Sequence, residues 1–334
     1  KPYPEWLVLE VGSDRPEDIR KVAKWIKPDA NIITAFPKIP VHVEFFSSPK
    51  AVNEEDSALA RVVKEDGFLV LNYDDPEVMA VKSKTKARIA TYGFGEGADI
   101  AGFYPAALYE GEEIKKPVGV TFKANYESTS IPVRIYGVLG KSPMYSALAA
   151  LSLGKALGLN VITIAEALSG EETPPGRLRL IPGVKDSLII DDSYNSSPAA
   201  AEVALSALEE LAVPGRKIAA LGDMLELGKY SIDEHKRIGE IAGKVCDILI
   251  TVGVRARGIA EGALDAGLKE KNIFQFEDSV LAGKHLESLI KQGDAVLIKG
   301  SQGTRMERAV LEVMLHPEDK EKLLCRQGEG WVGR

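Results

Sequence analysis

The chain has 334 residues, of which 45% are hydrophobic and 27% charged, and its formal net charge is −7. This length allows two domains of about 100–200 residues each, and the acidic balance argues against non-specific nucleic-acid binding, which needs clustered Lys and Arg. No apolar run reaches the roughly 18 residues of a membrane span, so we expect no membrane insertion. Only Cys246 and Cys325 occur, without zinc-ligand spacing. We therefore expect neither disulfides nor structural zinc, and a cytoplasmic location.

The first half of the sequence alternates apolar runs of strand length with segments of helical periodicity. This alternation predicts βαβ units around a mostly parallel sheet. The predicted strands are 6–11, 30–34, 68–72 and 87–93, with helices at 16–26 and 54–63. An antiparallel strand pair is expected within 118–137 and a helix at 143–157. Because the sequence starts at Lys1 and enters the first apolar strand at once, without a signal peptide, we expect it to begin in mid-fold.

The segment GEETPPGRL (170–178) predicts a domain boundary, since its prolines and glycines interrupt all periodicity. A second α/β series follows, with strands at 187–192, 217–223, 247–253 and 294–301 and helices at 199–212, 233–244 and 279–290. We predict a first domain at 1–172, a second at 173–316 and a charged tail at 317–334.

Two polar clusters follow predicted strands of the second half, where ligands bind in open parallel sheets. DDSYNSSP (191–198) combines carboxylates, hydroxyls and an amide before a helix, a composition suited to phosphate, metal and amine contacts. KGSQGTRME (299–307) offers Lys299, Ser301 and Arg305 around two glycines, which suits an anionic group. Simple helix capping by Ser196 or Ser197, and a tight turn with a solvated arginine, are the alternatives.

The first half carries fewer such signals. Glu10 follows the first apolar run, and His42 precedes Glu44 in HVE. A carboxylate at a strand end is costly to bury unless it binds a cation or a donor, although it can equally be a surface acid. GFGEG (93–97) has the wrong glycine spacing for a dinucleotide fingerprint, and we interpret it as a loop.

Taken in order, these segments resemble the Mur ligase family, especially its members that add D-alanyl-D-alanine. The most specific stretch is ALGDMLELGKYSIDEHKRIGEIA (220–242). The other segments that carry the resemblance are VLEVGSDRPEDI, VHVEFF, LNYDDP, GKSPMYSALAAL, DDSYNSSP and VLIKGSQGTRME. The resemblance implies an α/β fold in which an incomplete P-loop-type central ATPase domain is followed by a Rossmann-like C-terminal domain.

The resemblance also implies an activity, which is ATP-dependent formation of an amide bond through an acyl phosphate in peptidoglycan synthesis. The implied substrates are a UDP-N-acetylmuramoyl-tripeptide and D-alanyl-D-alanine, with ATP and Mg²⁺ as cofactors and a monomeric state. The implied catalytic and metal-binding residues are Glu10, His42 and Asp56. The implied ATP-binding residues are Asn72, Ser146, Arg177, Asp192 and Asn195. The implied substrate-binding residues are Asp191, Lys299, Ser301 and Arg305.

Three departures from the family pattern modify this expectation. The P-loop that precedes VLEVG in the family is not in the sequence, Asp56 stands where the family has a carbamylated lysine, and Ser142 and Ser146 replace the usual His and Asn. We therefore expect the chain by itself to be inactive, as part of a ligase. A non-catalytic, Mur-ligase-like binding module is the alternative. A nicotinamide dehydrogenase ranks third, because the GxGxxG fingerprint is missing.

Overall fold

The computed structural model describes residues 3–111, 116–127 and 129–331. The first two residues of the predicted first domain, Ser128 in the predicted antiparallel pair and the last three residues of the predicted tail lie outside these ranges. The strands are β1 (Ala30–Ile33), β2 (Phe68–Asn72), β3 (Arg88–Gly93), β4 (Ile100–Glu110), β5 (Lys116–Tyr126), β6 (Thr129–Tyr136), β7 (Arg179–Gly183), β8 (Ser187–Asp192), β9 (Lys217–Gly222), β10 (Ile248–Val252), β11 (Ile273–Phe276) and β12 (Ala295–Lys299). The α-helices are α1 (Asp18–Val22), α2 (Pro49–Asp56), α3 (Pro76–Met79), α4 (Ser142–Ala156), α5 (Val161–Gly170), α6 (Pro198–Glu210), α7 (Ser231–Val245), α8 (Arg257–Asp265), α9 (Ser279–Leu289), α10 (Glu307–Val313) and α11 (Lys320–Leu323).

The first sheet has the strand order β1-β2-β3-β4-β5-β6. β1 to β4 run parallel, whereas β5 pairs antiparallel with both β4 and β6. In β2 the consecutive residues Leu69, Val70 and Leu71 are all fully buried. Such an uninterrupted apolar run is typical of a parallel strand that is covered on both faces. Helix α4 packs against one face of this sheet, and its Leu148 is also fully buried.

The second sheet has the strand order β11-β10-β9-β12-β8-β7 and is parallel except for the edge strand β7. The last strand in the sequence, β12, lies between β8 and β9. All five of its residues are buried. The carboxyl ends of β8, β9 and β12 therefore lie side by side, and the loops that follow them meet at one edge of the sheet.

The two halves of the chain pack directly against each other. The Leu139 amide donates to the Leu178 carbonyl at 3.0 Å, and the Leu180 amide donates to the Gly137 carbonyl at 2.8 Å. The buried apolar cluster that contains Leu148 of α4 also contains Leu208 of α6. These contacts join the end of the first sheet to the edge of the second.

The predicted α/β fold class is confirmed, but several elements differ from the prediction. Residues 6–11 form no strand in the described structure, and Leu7 and Val8 are 74% and 91% exposed. An apolar run becomes a sheet strand only where a neighbouring ladder pairs with it. The predicted helix at 16–26 is limited to α1. The one at 54–63 begins earlier, as α2, because Ser48 accepts the Ala51 amide as N-cap.

Other elements were not predicted, namely β4, α3, α5, β7, β11, α8, α10 and α11. β4 contains glycine, proline and alanines, which have low strand propensity, and β11 has only four residues. The segment 171–177 lies between α5 and β7 without regular structure, as predicted. The domain limits at 172 and 316 stay predictions. Among the helices of the described ranges, none combines the length and apolar character that a membrane span requires.

Candidate active site

Lys299 and Asp192 form a buried ion pair where β12 and β8 end. Lys299 Nζ lies 2.6 Å from Asp192 Oδ2 and donates to the Asn195 carbonyl at 2.8 Å. The Lys299 side chain is 2% exposed and that of Asp192 is 11% exposed. The other carboxylate oxygen of Asp192 accepts the Leu178 amide at 3.1 Å. One charge pair therefore connects two strand ends, the loop after β8 and the segment that links the two halves.

Ser301 joins three loops at the same edge of the sheet. Its hydroxyl donates to the Ser196 carbonyl at 3.2 Å and accepts the Leu225 amide at 2.9 Å. Its own amide donates to the Asp223 carbonyl at 3.0 Å. Because the side chain is buried and both roles of the hydroxyl are used, Ser301 fixes the relative positions of the loops after β8, β9 and β12.

Asp191 and Glu307 place two further carboxylates beneath these loops. Asp191 is fully buried, and its Oδ1 accepts the Ser193 amide at 3.1 Å. Burial raises the pKa of Asp191 to about 6. Glu307 accepts a hydrogen bond from Arg305 Nε at 2.5 Å and lies 3.2 Å from a guanidinium nitrogen of Arg326. Arg305 itself has left-handed backbone geometry, with φ of 53°.

Arg177 and Tyr194 bring the link between the two halves against the loop after β8. The exposed Arg177 guanidinium lies 4.1 Å from the centre of the Tyr194 ring. The Tyr194 amide donates to the Gly176 carbonyl at 3.2 Å. Asn195 follows, and its side-chain oxygen accepts the Ser196 amide at 2.8 Å.

In the first half, Asp56 and His42 face polar partners. Ser13 Oγ donates to Asp56 Oδ1 at 2.6 Å, and burial, with the neighbouring Glu55, raises the pKa of the Asp56 carboxyl. His42 pairs through Nδ1 with Glu226 of the second half, and its Nε2 lies 3.3 Å from Asp14 Oδ1. The imidazole therefore bridges the two halves.

Glu10 does not join His42 and Asp56 in a metal centre. It is exposed in the segment 6–11, outside any strand of the described structure. Within the described ranges, no group of three or more His, Cys, Asp or Glu side chains is arranged to hold a metal ion. The three predicted ligands, as they are placed here, do not fit a metal site.

Asn72 and Ser146 lie near a separate loop cluster of the first half. The Asn72 side-chain amide donates to the Thr34 carbonyl at 2.9 Å, and its oxygen accepts the Asp74 amide at 3.0 Å. Asp74 in turn accepts the Gly95 amide and the Tyr145 hydroxyl, both at 2.8 Å. GFGEG is thus a loop, as predicted, and the Asp74 carboxylate accepts the amides of Phe94 and Gly95 within it. Ser146, next to Tyr145 on α4, is exposed and donates to the Ser142 carbonyl at 3.3 Å.

Comparison with known proteins matches this chain to one family over most of its length. A model described as "Mur ligase middle domain" matches residues 3–154, and a model described as "Mur ligase, glutamate ligase domain" matches residues 176–302. The chain belongs to the Mur ligase family. The predicted order, a central domain followed by a C-terminal domain, is thereby confirmed.

Relatives of this Mur ligase chain include two UDP-N-acetylmuramoyl-tripeptide--D-alanyl-D-alanine ligases. The one from Bacillus subtilis is 31% identical over 94% of this chain and 65% of the relative, and the one from Escherichia coli is 26% identical over 92% and 65%. A crystal structure of MurF from Acinetobacter baumannii has a TM-score of 0.77 and 25% identity, over 90% of this chain and 63% of that chain. MurF ligase from Thermotoga maritima in complex with ADP has a TM-score of 0.74 and 26% identity, over 92% and 66%. The chain spans less than two thirds of the length of each.

The Mur ligase fold brings most of the predicted second-half residues together. Asp191, Asp192, Asn195, Lys299 and Ser301 meet at one edge of the sheet, with Arg177 and Arg305 beside them. Of the first-half residues, His42 and Asp56 lie in one further place and Asn72 and Ser146 in another, whereas Glu10 is exposed in the segment 6–11.

Several residues of the site were not predicted. Glu226 lies in the recognised stretch 220–242, and Asp74 lies in LNYDDP, so both were within reach of sequence reasoning. Ser13 lies in VLEVGSDRPEDI and was equally within reach, whereas Arg326 carried no sequence signal, because its contacts depend on distant parts of the chain.

Proposed function

We propose that this chain forms the central and C-terminal part of an ATP-dependent ligase that adds D-alanyl-D-alanine to a UDP-N-acetylmuramoyl-tripeptide. The observation that carries the proposal is the buried Lys299–Asp192 pair with Asn195 and Ser301 at the carboxyl edge of the second sheet. The names of the relatives supply the substrates, and the ADP complex of the Thermotoga maritima neighbour supports ATP as the nucleotide. We also propose that the protein is cytoplasmic and monomeric.

The predicted residues of the second half would form two groups, one that contacts the nucleotide and one that contacts the dipeptide. Asp192, Asn195 and Arg177 would contact the nucleotide, since they surround the loop after β8 and the adjoining link. Lys299, Ser301 and Arg305, with Asp191 beneath them, would orient the dipeptide. Preorganised charges and donors of this kind need little rearrangement when the reacting groups arrive, which is the main source of electrostatic catalysis.

The reaction would proceed in two balanced steps. A carboxylate oxygen of the tripeptide attacks the γ-phosphorus of ATP, which releases ADP and leaves an acyl phosphate. The amine of D-alanyl-D-alanine then attacks the acyl carbon, the amine loses a proton, and inorganic phosphate departs. The contribution of the chain is to position these groups and to neutralise their charge.

The first-half residues Asn72 and Ser146 are proposed to lie on the nucleotide side, and Glu10, His42 and Asp56 on the catalytic side. When bound, Mg²⁺ would neutralise phosphate charge in such a site. Glu10, His42 and Asp56 do not form a metal-binding group in this structure, and the two proposed steps do not depend on them as metal ligands. Mg²⁺ remains a prediction from the resemblance.

Calorimetric titration of the chain with ATP and with D-alanyl-D-alanine tests the proposal. Asn195→Ala is expected to weaken ATP binding by about three- to tenfold, the effect of one or two lost uncharged hydrogen bonds. Asn272→Ala is the matched control, because the Asn272 amide donates to the Asp247 carbonyl at the opposite end of the sheet. Equal weakening by both variants, or binding of neither ligand, would contradict the proposal.

Product formation separates the ligase from the second candidate. The second candidate is a non-catalytic binding module, the alternative that the departures from the family pattern at Asp56, Ser142 and Ser146 leave open. With the tripeptide substrate, D-alanyl-D-alanine, ATP and Mg²⁺ added to a version of the chain extended upstream by the P-loop segment of the family, mass spectrometry would detect the pentapeptide product of a ligase. Ligand binding without product would support the binding module.

A further inference from the structure

The C-terminal tail folds back onto the candidate active site. After α11, Leu324 and Cys325 are 2% and 8% exposed, and the Cys325 sulfur lies 3.6 Å from the Ser193 hydroxyl. The match to the family model ends at residue 302, so this contact lies beyond the matched residues. We define the docked tail as residues 320–331.

Arg326 is the main link between the docked tail and the loop after β8. One terminal nitrogen of its guanidinium donates to the Ser193 carbonyl at 3.1 Å and lies 3.2 Å from Glu307 Oε2, and the other donates to the Tyr194 carbonyl. The side chain is only 4% exposed. A planar guanidinium can hold two consecutive carbonyls and a carboxylate at once, whereas a lysine ammonium is a point charge.

Contacts between arginine side chains and aromatic rings surround Arg326. The centre of the Tyr194 ring lies 4.1 Å from the Arg177 guanidinium and 5.3 Å from that of Arg326. Trp331 extends the series, with its ring 5.7 Å from Arg326 and 5.4 Å from Arg305. The docked tail therefore contacts the loop that follows Asp192 and the side chain of Arg305, which lies in the loop after Lys299.

We propose that Arg326 is a positioning residue that holds the loop Ser193–Asn195 in its ligand-binding conformation. The inference rests on the proposed function. Asp192 precedes the two carbonyls that Arg326 holds, and Asn195 follows them. Fixing Ser193 and Tyr194 therefore fixes the directions in which Asp192 and Asn195 face a ligand. Preorganisation of this kind lowers the ordering cost that binding would otherwise include.

A simpler role for Arg326 would be to neutralise the buried carboxylates Glu307 and Asp191. Substitution by lysine separates the two roles, since Arg326→Lys keeps the charge but cannot hold both carbonyls. Arg326→Gln removes both the positive charge and the planar group that donates to the two carbonyls. Lys322→Gln is the matched control, because Lys322 lies in the same tail and pairs with the exposed Glu172 at 3.3 Å.

Amide hydrogen exchange across residues 190–198, read by mass spectrometry, is the first measurement. Both Arg326 variants are expected to exchange at least about tenfold faster than the parent in this segment, the effect expected for losing a charged hydrogen bond. Lys322→Gln is expected to match the parent. If Arg326→Lys exchanges as slowly as the parent in this segment, the positioning role is wrong, and charge neutralisation is the role that remains.

Calorimetric titration with ATP is the second measurement. Arg326→Lys should bind about tenfold more weakly than the parent while its urea midpoint stays close to that of the parent. Parent-like affinity in Arg326→Lys would contradict the inference. If the parent binds no ATP, the proposed function fails, and the exchange data still decide whether Arg326 orders the loop. Should Arg326→Gln not fold, the comparison of Arg326→Lys with Lys322→Gln is sufficient.

Discussion

Replacing Lys299 by methionine tests whether the buried ion pair organises the second half of the chain. The substitution keeps most of the side-chain volume and leaves the Asp192 carboxylate without its cation at 2.6 Å. Since the two side chains are 2% and 11% exposed, water cannot replace the lost partner fully. Removing one member of a buried pair costs about 3–5 kcal/mol. We expect a loss of this size in the free energy of unfolding.

Urea denaturation of four proteins measures this effect, namely the parent, Lys299→Met, Asp192→Asn and the double variant. The double variant should lose less than either single variant, because no unpaired charge remains. Lys217→Met is the control, since Lys217 Nζ donates to the Glu209 carbonyl at an exposed position, and it should change stability by less than about 0.5 kcal/mol. A loss below about 1 kcal/mol for Lys299→Met, or additive losses in the cycle, would refute this reasoning.

Three further predictions concern pH, packing and domain limits. The pKa of Asp191 in the folded chain is about 6, above that of an aspartate in the unfolded chain. Between pH 4 and pH 6 the folded state therefore binds more protons at this group than the unfolded state does, and the parent loses stability as pH rises through this range. Asp191→Asn should therefore gain roughly 3 kcal/mol relative to the parent between pH 4 and pH 7 in urea denaturation, and a constant difference would contradict this. Gly262→Ala should cost about 1–3 kcal/mol, since its Cβ would lie 2.0 Å from the Lys236 carbonyl, whereas Gly170→Ala, with open space around it, should be neutral. Limited proteolysis should cut first within 173–176, and first cuts inside 187–301 would argue against the predicted boundary.

The central strands of the second half could be predicted well because their signals are local. The strands 187–192 and 294–301 are apolar runs that end in Asp, Lys and Ser, and both the strands and their ligand-side ends are where the sequence indicated. The resemblance supplied the roles of Asp192, Asn195 and Lys299, and the structure brings these three together.

The rest depended on contacts between distant residues. The apolar run 6–11 has the composition of a strand, but strand formation needs a paired neighbour and not composition alone. β4 was missed because its glycine, proline and alanines hide a strand that pairing with β5 stabilises. Arg326 binds a loop more than 130 residues earlier in the chain, and no local pattern marks a partner at such a distance.

The central position of β12 has a consequence for biosynthesis. β8 and β9 both pair with β12, so these strands have no common neighbour until residue 299 has been made. At about 5–20 residues per second, the ribosome needs roughly 5–20 s to extend the chain from Asp192 to Lys299. During that interval the apolar edges of β8 and β9 are open to other chains and to chaperones. Ribosome-associated folding factors should therefore matter more for the second half of this chain than for the first.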